Sequence, residues 1–270
     1  MNLDGEGGAR HPLDNPLWSA LSTSHRALAR GAARVLRYPP EVAPFLAIRG
    51  ADDPDGAEAP DAAAGRAGAH DAAVAAELAA VVAPGEQVLL LGPPPVVPPG
   101  WQLDDLGPIL QMVCDCEGGD RMPEPDGPPI ALLDERARPA VLELTALVYP
   151  HYFRPLTTTL GRYFGIFERG RLAAMLGERM GMPGYRELSA ICTHPDFLGR
   201  GLARRLMAYA ANDLLARGAR PFLHVSPANT RARELYERNH FRTRITIAFW
   251  SLRRPASPSA PVAGGYRVLR

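Results

Sequence analysis

The chain has no lysine: all 30 basic residues are arginine. Against 29 acidic residues they leave a net charge of +1. No overall field therefore draws the protein to nucleic acid or to a membrane surface. Alanine, glycine and proline are abundant beside the arginine, which a GC-rich coding sequence explains, so the arginine count alone is not read as phosphate recognition. Cysteine is scarce, with three in all. Cys114 and Cys116 form a C-x-C and Cys192 stands alone, which excludes the paired C-x-x-C spacing of a zinc site. An odd count with no disulfide framework suits a reducing compartment. No apolar run is long enough to span a bilayer. The first ten residues, MNLDGEGGAR, lack the apolar centre of a signal peptide. These absences predict a soluble, cytoplasmic protein with no metal.

What is present is ordinary globular composition, 46% hydrophobic over 270 residues, enough for one large or two modest domains. Residues 1–14 are polar. Asn15-Pro16 reads as a helix cap and first turn, and apolar positions from Leu17 to Val35 follow at helical spacing. Ala43 to Ile48 is an expected strand. Residues 50–70 read as a surface loop, Asp71 to Val82 as a helix, and Gln87 to Leu91 and Ile109 to Cys114 as strands. The Gly/Pro-rich, acidic stretch 117–129 reads as a linker. Beyond it come a helix over Ala137 to Val148, a short helical segment over Pro155 to Gly161, and strands over Tyr163 to Phe167 and Leu172 to Arg179, joined by the turn Glu168-Arg169-Gly170-Arg171. Tyr185 to Thr193 is a strand. Strict alternation places Glu187, Ser189, Ile191 and Thr193 on one face and Leu188, Ala190 and Cys192 on the other. A helix over Gly201 to Arg217, a strand over Pro221 to Ser226, a helix over Thr230 to Asn239 and a strand over Arg242 to Leu252 complete the pattern.

The informative stretch is YRELSAICTHPDFLGRGLA, residues 185–203. His194-Pro195-Asp196 stops the strand. Gly199 and Gly201 then precede a helix whose first N–H groups have no partner within it. Such N–H groups, with the helix dipole behind them and no Cβ in front, bind an anion such as a pyrophosphate. The spacing is G-x-G-x-A. It is neither the nucleotide P-loop nor the dinucleotide fingerprint G-x-G-x-x-G.

The loop Leu198-Gly199-Arg200-Gly201-Leu202-Ala203 resembles the acetyl-CoA loop [QR]-x-x-G-x-[GA] of the GNAT superfamily of N-acetyltransferases, with Leu198 where Gln or Arg is usual. About 30 residues on, NTRARELYERNHF is similar to that family's N-x-x-A-x-x-L-Y-x-x-x-G-F: Asn229, Ala232, Leu235, Tyr236 and Phe241 match, and His240 stands in place of glycine. The resemblance covers residues 131–252. It implies an α/β (α+β) fold with a mixed, mostly antiparallel sheet flanked by helices. It also looks like the FR47-like or glycine N-acyltransferase-like arrangement, in which a degenerate first half packs on an active second half. The expected division is an N-terminal α/β domain over 1–120, a linker over 121–130, the acetyltransferase domain over 131–254 and a tail over 255–270.

The resemblance further implies an acyl-CoA-dependent N-acyltransferase, with acetyl-CoA as cosubstrate and a small-molecule or peptide amine as acceptor. Neither nucleic acid nor membrane is expected as a partner. The backbone N–H groups of Arg200 to Ala203 would hold the diphosphate, with Leu198 and Gly199 completing the loop. Ile191, Cys192 and Thr193 would pair with the pantetheine arm, and Asn229, with Ala232 beside it, would meet the arm from the other side. Tyr236 would be the general acid for the departing thiolate. Glu187, fourteen residues before Gly201, would be the general base, its pKa raised by desolvation. Glu178 and a chain of waters are the rival proton acceptors. Cys192 reads as a small core residue, His224 as a core residue near the site, His194 as an exposed turn residue, and His25 as a core histidine. Two other readings stand beside the enzyme: a CoA-binding sensor or assembly module without catalysis, and a chain whose first half does the work.

Overall fold

In the computed structural model, residues 11–50, 63–116, 121–148 and 151–256 are described. The first ten residues, most of the expected loop at 50–70, the start of the linker and the tail from 257 lie outside them. The hairpin at the centre of the second half forms as its turn residues dictate. Arg169 and Gly170 both take positive φ, 51° and 74°, which closes a two-residue turn between β7 (Tyr163–Glu168) and β8 (Arg171–Met182). Strand β9 (Tyr185–Thr193) adds antiparallel to β8. Helix α4 (Leu202–Ala216) then crosses over to β10 (Arg220–Val225), which lies parallel to β9. A parallel pair needs such a crossover. Helix α5 (Thr230–Glu237) leads into β11 (Phe241–Arg253) through His240, whose φ is 62°.

The remaining strands of this sheet come from earlier in the chain. They are β4 (Gln87–Leu91), β5 (Gln102–Cys114) and β6 (Ala131–Leu132). The order across the eight strands is β4-β11-β5-β10-β9-β8-β7-β6. Strand β5 thus sits between β10 and β11. It pairs antiparallel with both, Leu110 against Val225 on one side and Cys114 against Phe241 on the other. The linker expected at 121–130 does not separate two sheets.

Elsewhere the first half departs from its periodicity. Helix α1 is short, Pro16–Ser22. The Ser22 hydroxyl donates to the Trp18 carbonyl at 2.7 Å and the Thr23 hydroxyl to that of Ser19, which satisfies the last turn from its own side chains. Val35, expected on the same helix, instead opens β2 (Val35–Arg37). This strand lies between β1 (Arg30–Gly31) and β3 (Leu46–Ile48) in a small antiparallel sheet. Helix α2 (Ala63–Val81) begins eight residues before the expected Asp71.

Helix α4 covers one face of the large sheet through Leu202, Leu206, Met207, Ala210 and Leu214, all buried. The opposite face is covered by α1 and by α3 (Arg138–Val148), through Leu17, Leu21, Val141 and Leu144. No described helix is long and apolar enough to cross a membrane.

Because β5 supplies the hydrogen-bond partners of both β10 and β11, a fragment of residues 121–270 leaves two facing strand edges open. Such a fragment is expected to show no cooperative unfolding transition by circular dichroism. A sigmoidal melt like that of the full chain would show that the second half is self-sufficient.

Candidate active site

The glycine loop is built as an open cradle. Gly199 and Gly201 take φ of 77° and 72°, and a Cβ added at either would meet nothing within 4 Å. The glycines are needed for their left-handed backbone, and the space before them is free. Gly201 is the N-cap of α4, and no side chain caps the helix. The Arg200 side chain turns away to pair with Glu168. The loop opens on a cleft of about 360 Å³. All eleven residues expected to touch the cofactor line this cleft: Ile191 to Thr193, Leu198 to Ala203, Asn229 and Ala232. Arg204, Arg231 and Arg238 also line it as exposed residues. The sequence had no signal for these three, because arginine is spread along the whole chain.

The cleft continues between two diverging strands. β9 and β10 pair only at Tyr185, Arg186 and Glu187, against Arg220, Pro221 and Phe222. Beyond Glu187 the two part, which leaves the β9 backbone at Ile191 to Thr193 unpaired on that side. An extended ligand can add to such an edge as a strand would.

A bulge corrects the alternation expected for β9. Ala190 takes φ of 49°, and the register with β8 slips by one residue between Ser189 and Cys192. The extra residue exchanges the two faces. Leu188 and Ile191 pack together under α4, whereas Ala190 and Cys192 pack under α3, on the face that carries Glu187. Cys192 therefore does not point away from Glu187.

A second cavity, of about 500 Å³, lies on that face. Its walls include Phe45, Leu91, Leu106, Pro108 and Ile109 from the first half of the chain, with Tyr152 and Phe249. Ile191, Cys192, Asn229 and Tyr236 line both cavities. Tyr236 is buried on the inner face of α5. The Asn229 Oδ1 accepts the Ala232 N–H at 3.1 Å and so caps α5. Its amide N–H groups remain for a ligand. Burial pushes the Cys192 thiol up to about 12, so it is a neutral thiol and a poor nucleophile.

Glu187 is fully buried. Arg179 donates to its carboxylate through Nε and Nη2, both at 2.6 Å. His224 Nδ1 meets Oε1 at 2.8 Å, and the Met180 N–H donates to Oε2 at 3.3 Å. A carboxylate has about four lone-pair sites, and these four contacts fill them. Burial pushes its pKa up, but the charge and hydrogen bonds of Arg179, with those of His224, outweigh it and hold the pKa at about 2. This corrects the expectation of a raised pKa, which considered desolvation without the partner. His224 Nε2 lies 3.3 Å from Gln111 Nε2, a donor.

Glu178, the rival, lies on the α4 side of β8. It accepts from Arg162 at 2.6 Å and Arg217 at 3.0 Å and lines neither cavity. His25 is a core residue, 2.8 Å from the Tyr38 hydroxyl, and its pKa is lowered to about 4 by burial and then by Arg186. His194 accepts the Asp196 N–H at the turn before the loop. A further hollow of about 620 Å³ beside α1 and β1 contains none of the predicted site residues. Among the described residues no cluster of His, Cys, Asp and Glu could hold a metal ion.

The mixed, mostly antiparallel sheet flanked by helices is the fold that the resemblance to the GNAT superfamily implied. The sequence profile of the family described as FR47-like protein matches residues 163–251. A crystal structure of a protein assigned as an acetyltransferase from the GNAT family of Novosphingobium aromaticivorans is 30% identical. That match covers 92% of this chain and 100% of that one with a TM-score of 0.74, so it takes in the first half as well. The chain belongs to the GNAT family. A GCN5-related N-acetyltransferase from Kribbella flavida is 19% identical over 57% of this chain and 61% of that one, with a TM-score of 0.43. The ribosomal-protein-S18-alanine N-acetyltransferase of Escherichia coli is 20% identical over 48% of this chain and 96% of its own, with a TM-score of 0.40. No curated protein matches the chain.

The Glu187 ion pair sets a pH-dependent prediction. A carboxyl held at about 2 in the folded state, against about 4.3 unfolded, stabilises the fold fully above the unfolded value. That contribution fades as pH falls through the folded one. Glu187→Gln leaves Arg179 buried without its counter-charge and is expected to cost about 3–5 kcal/mol in urea unfolding at pH 7. The gap between parent and variant should narrow as pH falls below about 4. A gap that stays constant down to pH 2 would show that the carboxylate charge is not the source.

Proposed function

We propose that this protein transfers an acetyl group from acetyl-CoA to a primary amine, by direct attack of the amine on the thioester. The observation that supports this reading is the meeting of the two cavities at Ile191, Cys192, Asn229 and Tyr236. One cavity has the shape and donors for a diphosphate and an extended arm. The other is suited to an acceptor.

Acetyl-CoA, as a substrate, supplies the activated acyl group. The N–H groups at Arg200 to Ala203 and the α4 dipole would receive its diphosphate. The open backbone edge at Ile191 to Thr193 and the amide of Asn229 would align its arm, with Ala232 beside it. Tyr236 would hold a proton on its hydroxyl where the two cavities join, ready for the departing sulfur. The raised pKa of Cys192 argues against an acyl-cysteine and so favours direct transfer.

We assign Glu187 a positioning role. An acid with a pKa of about 2 is a weak base at neutral pH, and its oxygens are already occupied. Its charge holds Arg179 and His224 in the wall of the acceptor cavity. The amine proton then leaves by water, the remaining member of the three routes open from the sequence. Three free cysteines suit a reducing compartment such as the cytoplasm.

Calorimetric titration of acetyl-CoA tests the cradle. Gly201→Glu places a carboxylate at the anion position and adds a side chain where φ is positive, so binding seen in the parent should be lost. Equal affinity in the two proteins would remove the loop from the site. Tyr236→Phe is expected to lower kcat by about 100-fold or more, as loss of a general acid does, with the Kd for acetyl-CoA unchanged. Equal kcat would remove Tyr236 from the chemistry.

A further inference from the structure

The acceptor cavity also carries information about what enters it. Phe45, Tyr152 and Phe249 form a continuous aromatic wall. The Phe45 and Tyr152 rings stack with centroids 6.4 Å apart, and Tyr152 meets Phe249 at 6.0 Å. Leu91, Leu106 and Ile109 extend this wall with aliphatic surface. Among the described lining residues there is no aspartate or glutamate. Arg179 is the one formal charge. Its guanidinium lies 4.8 Å over the Phe45 ring and is neutralised by Glu187 behind it.

A polyamine or an aminosugar polycation brings a second positive charge. In this cavity that charge would meet the neutral polar groups of Ser189, Ser226 and Asn229 and the positive charge of Arg179, with no carboxylate to pair with it. A buried charge is tolerated only when it is paired. An apolar or aromatic group gains by leaving water for the same surface. The cavity of about 500 Å³ is also of the size that holds a small molecule, about 300–1,000 Å³.

We infer that the acceptor is a primary monoamine on an apolar or aromatic body, with its amine at the junction beside Tyr236 and its body against Phe45, Tyr152 and Phe249. This rests on the acetyltransferase reading above and narrows it to a substrate class. The bond formed is the amide to the amine nitrogen and the bond broken is the thioester. The departing sulfur of CoA gains one proton from Tyr236, and the amine gives one up to water, from which Tyr236 is reprotonated.

The test follows release of the CoA thiol by the full chain at saturating acetyl-CoA, with phenethylamine, hexylamine, spermidine, kanamycin and a short peptide with a free N-terminus. The expected result is kcat/KM for phenethylamine or hexylamine at least about 100-fold above spermidine and kanamycin. A preference for either polycation, or turnover confined to the peptide, overturns the inference while leaving the enzyme an acetyltransferase. If no amine reacts although acetyl-CoA binds, the acetyltransferase reading fails. The inference is then decided by calorimetry on the CoA complex: phenethylamine binding that spermidine does not match upholds it, and no phenethylamine binding overturns it. Ile109→Glu adds the missing carboxylate and should move the preference toward spermidine. Phe45→Leu, a milder change, should raise KM for phenethylamine more than for hexylamine. An unchanged KM for both in Phe45→Leu would remove the aromatic wall from acceptor binding.

Discussion

A single buried carboxylate organises the middle of this sheet. Glu187 on β9 meets Arg179 on β8 and His224 on β10. His224 meets Gln111 on β5, and Gln111 accepts from Arg244 on β11 at 3.1 Å. Five adjacent strands thus each place one polar residue in one row on one face. Beyond the row's end, Arg244 donates to Asp14 at 2.5 Å, and Gln111 donates to the Leu13 carbonyl at 2.9 Å. The segment before α1 is thereby tied to the same row. Buried polar groups are tolerated only when each finds its partner, and a register slip of one residue in any strand would turn its member to the other face. The row therefore specifies how β5, which arrives from the first half, aligns between two strands of the second.

That alignment matters for the site. β9 and β10 separate after Glu187, and a splayed pair needs its outer strands held, since little joins the inner ones. β8 holds β9 along its length, and β5 holds β10 from Leu110 to Val113. Without β5, the strand bearing His224 and Val225 would have only its three pairs with β9. The first half thus both supports the gap and supplies one wall of the second cavity.

The second half was legible because its signals are local. Gly199 and Gly201 announce positive φ, Arg169-Gly170 announces a hairpin, and the apolar spacing from Leu202 to Leu214 announces a helix. The strand at Gln87–Leu91 was equally plain, as a short apolar run bounded by turn residues. Three features were not legible, each for a physical reason. The pairing of β5 with β10 and β11 joins residues more than 100 positions apart, and alternation says nothing about which edge a strand will meet. The helix expected to run on from Leu17 stops at Ser22, and helical spacing cannot separate a helix from a short helix followed by strands over apolar residues such as Val35 and Leu36. The environment of Glu187 depended on Arg179, one of 30 arginines. Desolvation can be anticipated for a carboxylate in an apolar strand, but the partner that reverses its effect cannot be singled out by spacing.

The bulge at Ala190 shows how one residue serves both cavities. A regular strand would keep Glu187, Ser189 and Ile191 on one face. With the extra residue, Ile191 joins Leu188 under α4, while Cys192 turns to the face of the second cavity. Consecutive residues at the junction therefore present an aliphatic side chain to one side and a small, neutral thiol to the other. The backbone between them stays open toward the gap. A larger group at Cys192 would narrow the junction of the two cavities. A side chain that is small and held protonated by its burial leaves the path between the cavities open.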